Sequence, residues 1–181
     1  MRVKGLTYAV APDTPPDLTW FGEHPAWDDP VTAVPDPTWD EIERAVRRLD
    51  GRRYRWLQLW PTADPADHDP NPGSREYVEV VGGAGVYLLR ASFADGRHAH
   101  PDFPEWPDRD VVVLPDPSGF GFVDLMWSES ARRVCRDVEV VLRAARHYYD
   151  TGSLDQSLPW QVRRDNTIHI PWKPEQGEPS T

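Results

Sequence analysis

One stretch, Asp137 to Trp160, constrains the fold most, because it predicts a helix that ends sharply before an apolar anchor. Its apolar residues recur at the spacing of one helix face, and Arg143 and Arg146 fall outside that face. Gly152 stands where a left-handed C-terminal cap is needed. The pattern therefore predicts a helix over about 137–150. The residues of its apolar face are Val138, Val141, Leu142, Ala145, Tyr148 and Tyr149.

Another helix is predicted nearer the start of the chain, over about 39–49. Thr38 and Glu41 have the spacing of a capping box, in which each side chain bonds the backbone N–H of the other residue. Asp50 and Gly51 then end the helix. Its buried stripe consists of Trp39, Ile42, Val46 and Leu49.

Between the two helices the hydrophobic period changes to two, which is typical of strands. The segment Gly82–Gly85 is typical of a hairpin turn, and residues 115–119 form a second turn cluster. The predicted strands are 54–60, 76–81, 86–90, 110–114 and 120–126.

Strands that follow one another through short turns, with helices flanking the run, favour an antiparallel sheet. The predicted fold class is α+β, with a sheet of about five or more strands and two main helices. A chain of 181 residues can bury a core without a disulfide or a metal. We expect a single domain over residues 1–170 and a flexible tail over residues 171–181.

Residues 1–37 are predicted to form a proline-rich N-terminal arm. Seven prolines between Ala11 and Pro37 exclude a helix or a central strand there. The arm also contains three large aromatic residues, Trp20, Phe21 and Trp27. Because disordered linkers are poor in such residues, we expect much of the arm to pack across the domain.

Charge is distributed unevenly, since the segment from Gly5 to Glu43 has nine acidic residues and no Lys or Arg. Nine negative charges are close to the net charge of the whole chain, −10. Such a surface repels nucleic acid and attracts basic proteins, although charge runs are usually solvated surface. We expect no direct binding to nucleic acid. The arginine-rich segment that follows, Arg44 to Arg55, either folds back on the acidic arm or lies on the solvent side of the first helix.

The chain has the features of a cytoplasmic protein that contacts no membrane. Its only cysteine, Cys135, cannot form an internal disulfide, and no apolar run approaches the about 20 residues of a membrane span. The N-terminus lacks the apolar region of a signal peptide. Arginine largely replaces lysine, and Pro, Asp and Ala are abundant, which suggests a gene of high GC content, as in actinobacteria.

No segment has the pattern of a catalytic site. Gly82–Gly85 precedes the strand residues Val86 and Tyr87, whereas phosphate-binding loops open a helix. Ser118 lies in no nucleophile-elbow motif, and no catalytic signature surrounds Cys135. The sequence therefore predicts a protein that is not an enzyme, has no catalytic residues and uses no cofactor.

Two groups of residues leave a small metal-dependent enzyme or binder open as an alternative. His98, His100 and Asp102 alternate, so a strand would direct them to one side, as metal ligands need. The acidic loop Asp64–Asp69 offers oxygen ligands for a hard cation. However, the histidine pair lacks a clear fourth ligand, and the loop lacks the glycine-turned spacing of a calcium site. We therefore expect solvated loops and no bound metal.

Tryptophan is unusually frequent, with nine residues in the chain. Several lie in proline-rich or irregular segments where loops would expose them, among them Trp106 and Trp127. Tryptophan dominates the energetics of many protein interfaces. Large aromatic side chains also cover the open faces of a domain, and the sequence favours neither use over the other.

The end of the second helix and the segment after it form the most specific pattern in the chain. It consists of Ala144-Ala145, Tyr148-Tyr149, Thr151-Gly152, Leu154, Leu158 and Trp160. Together with the helix start at Thr38-Trp39 and the strand pair around Gly82-Gly83, this pattern resembles the first immunity-protein family of bacterial polymorphic toxin systems. The resemblance covers roughly residues 38–160.

Members of that family are small cytosolic proteins that neutralise a cognate toxin, and the resemblance implies the same role here. It also implies a nucleic-acid-targeting toxin, of deaminase or nuclease type, whose active site is occluded. An acidic adaptor for another basic protein remains an alternative. The residues expected to bind the toxin are Asp28, Asp29, Asp36, Asp40, Trp106 and Trp127.

Overall fold

The fold is given by a computed structural model. It describes residues 3–10, 31–51, 54–62, 76–107, 109–115 and 126–163. Eight strands form one antiparallel sheet, and a separate hairpin and two α-helices complete the described part of the chain.

The main sheet has seven strands in a row and one further short strand. Numbered along the chain, its strands are β1 (Gly5–Val10), β2 (Val31–Pro35), β3 (Tyr54–Trp60), β4 (Tyr77–Gly83), β5 (Val86–Ser92), β6 (His98–Pro101), β9 (Val134–Cys135) and β10 (Trp160–Arg163). The order across the sheet is β10-β6-β5-β4-β3-β1-β2, and β9 pairs with β5. The separate hairpin consists of β7 (Asp110–Pro115) and β8 (Met126–Ser130).

One edge of β5 is shared by two strands that are far apart in sequence. β6 pairs with the end of β5, at Ala91 and Ser92, and β9 pairs with its beginning, at Tyr87 and Leu88. The chain between β6 and β9 leaves the sheet and forms the β7–β8 hairpin before it returns. A short 3-10 helix, Ala131–Arg133, links that hairpin to β9.

Two helices, α1 (Trp39–Arg48) and α2 (Val138–Thr151), cover one face of the sheet, which we call the helix-side face. Ile42 and Val46 of α1 and Val141 and Ala145 of α2 are fully buried against it. The strand residues in this core are Leu6, Leu57, Leu59, Val78, Val80, Leu89, Ala91 and Ala99. Alternation along β3, β4 and β5 sends the intervening side chains to the opposite face.

The ends of both helices follow the predicted chemistry. Thr38 and Glu41 form the capping box, with the Thr38 backbone N–H donating to Glu41 Oε2 at 2.7 Å. Glu41 therefore has a lowered pKa, mainly because its carboxylate accepts this hydrogen bond. Gly152 caps α2 in the left-handed conformation, with φ 69°, and its N–H donates to the carbonyl of Tyr148 at 2.7 Å.

The predicted α+β class, antiparallel sheet and two helices are confirmed. The strand predicted at 54–60 is found as β3, and the hairpin strands extend through Gly83 on one side and to Ser92 on the other. The strand predicted at 120–126 lies outside the described residues except for Met126, which begins β8.

The predicted N-terminal arm, residues 1–37, contains two strands of the main sheet that were not predicted from the sequence. β1 lies inside the sheet between β3 and β2, and β2 is the strand at one end of the order. Pro35 closes β2, which is where an edge strand tolerates proline. Residues 11–30 and the predicted tail, 171–181, lie outside the described part of the chain.

Gly83 is required by a close approach between two backbones. Gly83 pairs with Asp50 in an isolated β-bridge, at the point where the chain leaves α1. A Cβ atom at Gly83 would overlap the backbone of Leu49 and Asp50. A backbone cannot move aside as the tip of a flexible side chain can.

We therefore predict that Gly83→Ala lowers the free energy of unfolding by at least about 3 kcal/mol. Gly85→Ala is the matched control, because Gly85 also has a positive φ (84°) but its added Cβ would meet no atom within 4 Å. That control should cost only about 1–2 kcal/mol, from backbone strain alone. Urea unfolding of both variants measures the difference, and equal losses would show that the close approach is unimportant.

Candidate protein-binding surfaces

The acidic residues predicted to bind a partner lie, where described, at the junction between β2 and α1. Asp36 follows β2 directly, and its carboxylate accepts a hydrogen bond from Lys4 Nζ at 3.0 Å. Asp40 is exposed in the first turn of α1, where the helix dipole favours a negative charge. Asp28 and Asp29 lie outside the described residues.

Trp106 lies in the loop between β6 and β7 and is 36% exposed. The guanidinium of Arg136, just after β9, lies 5.0 Å from the centre of its indole ring. Phe103 fixes the start of this loop, because its N–H donates to the carbonyl of Arg132 at 2.6 Å. The loop therefore presents a large aromatic group from a fixed position. Trp127 lies in β8, and the placement of its side chain is not among the described features.

Among the residues that are described, the structure does not bring the predicted acidic positions Asp36 and Asp40 into one patch with Trp106. Asp36 follows β2, and Arg136, which contacts Trp106, follows β9, the partner of β5. Four strand spacings separate β2 from β5, which corresponds to roughly 19 Å at the usual spacing. A partner that contacts both regions must therefore span much of the domain.

The outer surfaces of the two helices carry both signs of charge. Arg47 of α1 bonds Glu43 at 2.9 Å and Glu139 of α2 at 3.0 Å, which joins the helices. Arg146 bonds Asp150 at 2.7 Å, and its guanidinium lies 5.0 Å from the centre of the Trp39 ring. Arg44, Arg47 and Arg48 are exposed on α1, so this part of the arginine-rich segment lies on the solvent side of the helix, which is one of the two predicted placements.

The face of the sheet opposite the helices, which we call the polar face, buries an ionic group. Glu79 of β4 is only 2% exposed. Its carboxylate accepts from Gln58 Nε2 at 2.9 Å and bonds Arg90 Nη2 at 2.8 Å. Nearby, burial raises the pKa of the Tyr77 hydroxyl, and the charge of Glu79 raises it further.

His98 and His100 alternate along β6 and lie on the polar face, as the register with Ser92 and Gln161 shows. Within the described ranges, no three His, Cys, Asp or Glu residues are grouped closely enough to hold a metal ion. Asp102 instead bonds Arg132 at 2.7 Å. The other proposed metal-binding segment, Asp64–Asp69, lies outside the described residues.

Cys135 is packed in the core on the helix-side face. Burial raises the pKa of its thiol, and the Sγ lies 3.2 Å from the carbonyl oxygen of Asp137. A raised pKa disfavours the reactive thiolate, so the geometry agrees with a packing role.

A cleft of about 370 Å³ opens between the end of α2, the segment after it, and strands β4, β5 and β10. Its walls are mainly apolar and include Tyr148, Leu154, Trp160 and Val162. Burial raises the pKa of the Tyr148 hydroxyl, with a further contribution from the charge of Glu76, which is exposed and also lines the cleft. No local sequence pattern marks this cleft, since its walls come from segments that are distant along the chain.

The described surfaces thus include charged helix exteriors, an exposed tryptophan and an apolar cleft. The family model described as Immunity protein Imm1 matches residues 31–162. The chain therefore belongs to the Imm1 family of immunity proteins, and the toxin that such a protein counteracts is its partner. No curated protein and no solved structure matches the chain significantly. Among the described helices, none is long and apolar enough to cross a membrane.

The buried Glu79 should depend strongly on its cation. We predict that Arg90→Leu lowers the free energy of unfolding by about 2–4 kcal/mol, because it leaves a buried carboxylate without its ion pair. In that background, Glu79→Gln should recover at least about 1 kcal/mol by removing the uncompensated charge. In the parent chain the same Glu79→Gln change should be destabilising. Denaturant unfolding of the parent and the three variants gives the comparison, and a loss of stability from Glu79→Gln in both backgrounds would contradict the prediction.

Proposed function

We propose that this chain neutralises a bacterial toxin that acts on nucleic acid, as a deaminase or a nuclease, by occluding its active site. The observation that carries the proposal is the family match over residues 31–162, which extends from β2 to β10 and so includes almost the whole described fold. The excess of acidic residues agrees with a toxin whose substrate groove is basic. Carboxylates can occupy positions where the phosphates of the substrate would lie.

The proposed contact residues are Asp28, Asp29, Asp36, Asp40, Trp106 and Trp127. The structural support differs among the contact residues that the structure describes. Trp106 is exposed, held by a fixed loop and stacked by Arg136, which are properties of an interface anchor. Asp40 is exposed at the start of α1. Asp36 shares its charge with Lys4, so its contribution should be smaller.

Such a protein would act in the cytoplasm, where the nucleic-acid targets of the toxin are found. It would bind the toxin and leave the nucleic acid itself unbound, because a net charge of −10 repels the phosphate backbone. Its own chemistry would be limited to binding.

Inhibition kinetics test the proposed mechanism. The purified chain should inhibit the toxin domain encoded beside it at a ratio of one to one. Raising the nucleic-acid concentration should weaken that inhibition, because substrate and inhibitor would compete for the same groove. Inhibition that is independent of substrate concentration would contradict occlusion and indicate an allosteric block. An absence of any inhibition would contradict the toxin assignment.

The acidic residues should act mainly on the rate of association. Replacing Asp28, Asp29, Asp36 and Asp40 with Asn should slow association with the toxin by about 10- to 100-fold at low salt, within the usual range of electrostatic steering. The effect should shrink as salt rises, because attractions between exposed charges are screened within about 10 Å at 0.1 M. Surface plasmon resonance at several salt concentrations measures both rates.

The matched control is Asp95→Asn with Asp150→Asn, which neutralises two exposed carboxylates outside the proposed contact set. Per charge removed, this control should slow association less than the variant in which all four Asp residues are replaced. Equal effects per charge would mean that only the net charge matters and that these four positions have no special role.

A further inference from the structure

β10 is the first strand in the order of the main sheet and has a neighbour, β6, on one side only within the described part of the chain. Its Val162 is 51% exposed, the largest exposed fraction of a bulky apolar residue in that part. Exposed strand edges present unpaired backbone groups that another strand can pair with. The orientation of those groups can be worked out from the hydrogen bonds around β6.

Trp160 is opposite Pro101, and Val162 is opposite Ala99. The N–H of Asp102 donates to the carbonyl of Pro159 at 3.0 Å, so this neighbouring pair is a hydrogen-bonded pair. Bonded and non-bonded pairs alternate in an antiparallel ladder. Trp160 and Val162 therefore fall in non-bonded pairs, and their backbone groups are directed away from β6.

The hydrogen bonds between β6 and β5 lead to the same assignment of which β6 residues bond to which neighbour. The N–H of Phe93 donates to the carbonyl of Arg97 at 2.9 Å, which makes Ala91 and Ala99 a bonded pair two residues along. The backbone groups of Ala99 are then directed toward β5, and those of His98 and His100 toward β10. The N–H and C=O of Val162 are consequently the groups that β10 offers at its outer edge.

The cleft lies beside this edge because one row of side chains across the sheet contains small residues. Val162, Ala99, Ala91 and Val78 are successive partners on the helix-side face. Ala91 lines the cleft, and its small side chain leaves space between Val78 and the outer strands. Val162 stands at its outer end, next to the edge.

We propose that the outer edge of β10 pairs with an extended segment of the toxin, and that an apolar side chain of that segment enters the adjoining cleft. The inference rests on the proposed function, since it names the surface on which the toxin is bound. Addition of a strand gives affinity through backbone hydrogen bonds, and pockets for alternate side chains give specificity.

Charge indicates which residue should lie beside the inserted side chain. Glu76 lines the cleft, is exposed, and makes no ion pair with another described residue. A Lys or Arg of the toxin segment near that carboxylate would form a favourable pair. The expected occupant is therefore an extended segment with one large apolar residue and a neighbouring basic residue.

Proline substitution tests the backbone pairing directly. Val162→Pro removes the outward N–H but none of the bonds to β6, and edge strands tolerate proline when its nitrogen is directed to solvent. It should weaken binding to a catalytically inactive toxin domain at least about tenfold. Val162→Thr retains the N–H and the β-branched shape, so its affinity should stay within about threefold of the parent. Thermal unfolding of both variants checks that the fold is retained.

Hydrogen exchange in the unsubstituted chain gives a second, independent readout. The amide of Val162 should exchange fast in the free protein and slowly in the complex. The amide of Gln161, which the ladder directs to His100, should be protected in both states. Unchanged exchange at Val162 on binding would overturn the proposal even if Val162→Pro failed to fold.

Other results are equally decisive. A parent chain that does not bind the toxin would remove the proposed function and this inference with it. If the parent binds and Val162→Pro binds equally well, only the strand pairing is wrong. If light scattering shows that the parent is a dimer which Val162→Pro dissociates, the occupant of the edge is a second copy of the chain, and the toxin binds elsewhere.

Discussion

The central strands β3, β4 and β5 are buried on both faces, and the rest of the structure depends on this double burial. The helix-side face excludes water through an aliphatic core shared with α1 and α2. The polar face buries a glutamate, a glutamine and large aromatic residues. The indole N–H of Trp60 donates to Thr7 at 2.8 Å, and its ring packs against Tyr77 in a tilted arrangement. Since most side chains of these strands are buried, most of the surface that a partner can contact lies on loops, helix exteriors, sheet edges and the cleft beside β10.

The two faces differ in how they specify the fold. Aliphatic side chains on the helix-side face stabilise the sheet but tolerate exchange with one another. The Gln58–Glu79–Arg90 group on the polar face fixes the register, because a shift of one residue would place Glu79 in the aliphatic core. A fixed register also positions the groups at the far edge of the sheet, where β10 meets β6.

Much of the fold was predictable from local patterns. Both helices were found because their caps are local: the Thr38–Glu41 box and Gly152 lie within a few residues of the ends that they define. β3 and the β4–β5 hairpin have a clear period of two and a glycine-rich turn. By contrast, β1 and β10 pair with strands that are distant along the chain, so no hairpin turn marked them.

The candidate surfaces were less predictable than the fold. Trp106 was singled out correctly as a tryptophan that a loop exposes. The cleft and the open edge of β10 were missed, because both depend on the pairing of residues that are about 60 or more positions apart, such as Val162 with Ala99. The charged positions Asp36 and Asp40 are at the surface, but the structure alone assigns them no partner.

We propose that this chain protects a cell by binding one toxin, and growth of cells that express that toxin tests this role most directly. Membership of the Imm1 family establishes the class of protein, and specificity is a difference between its affinities for the cognate toxin and for other toxins. We expect co-expression of the chain to restore growth against the toxin encoded beside it, and to fail against a toxin of the same chemistry from another locus. Failure to restore growth, with the chain present as folded protein, would contradict the account.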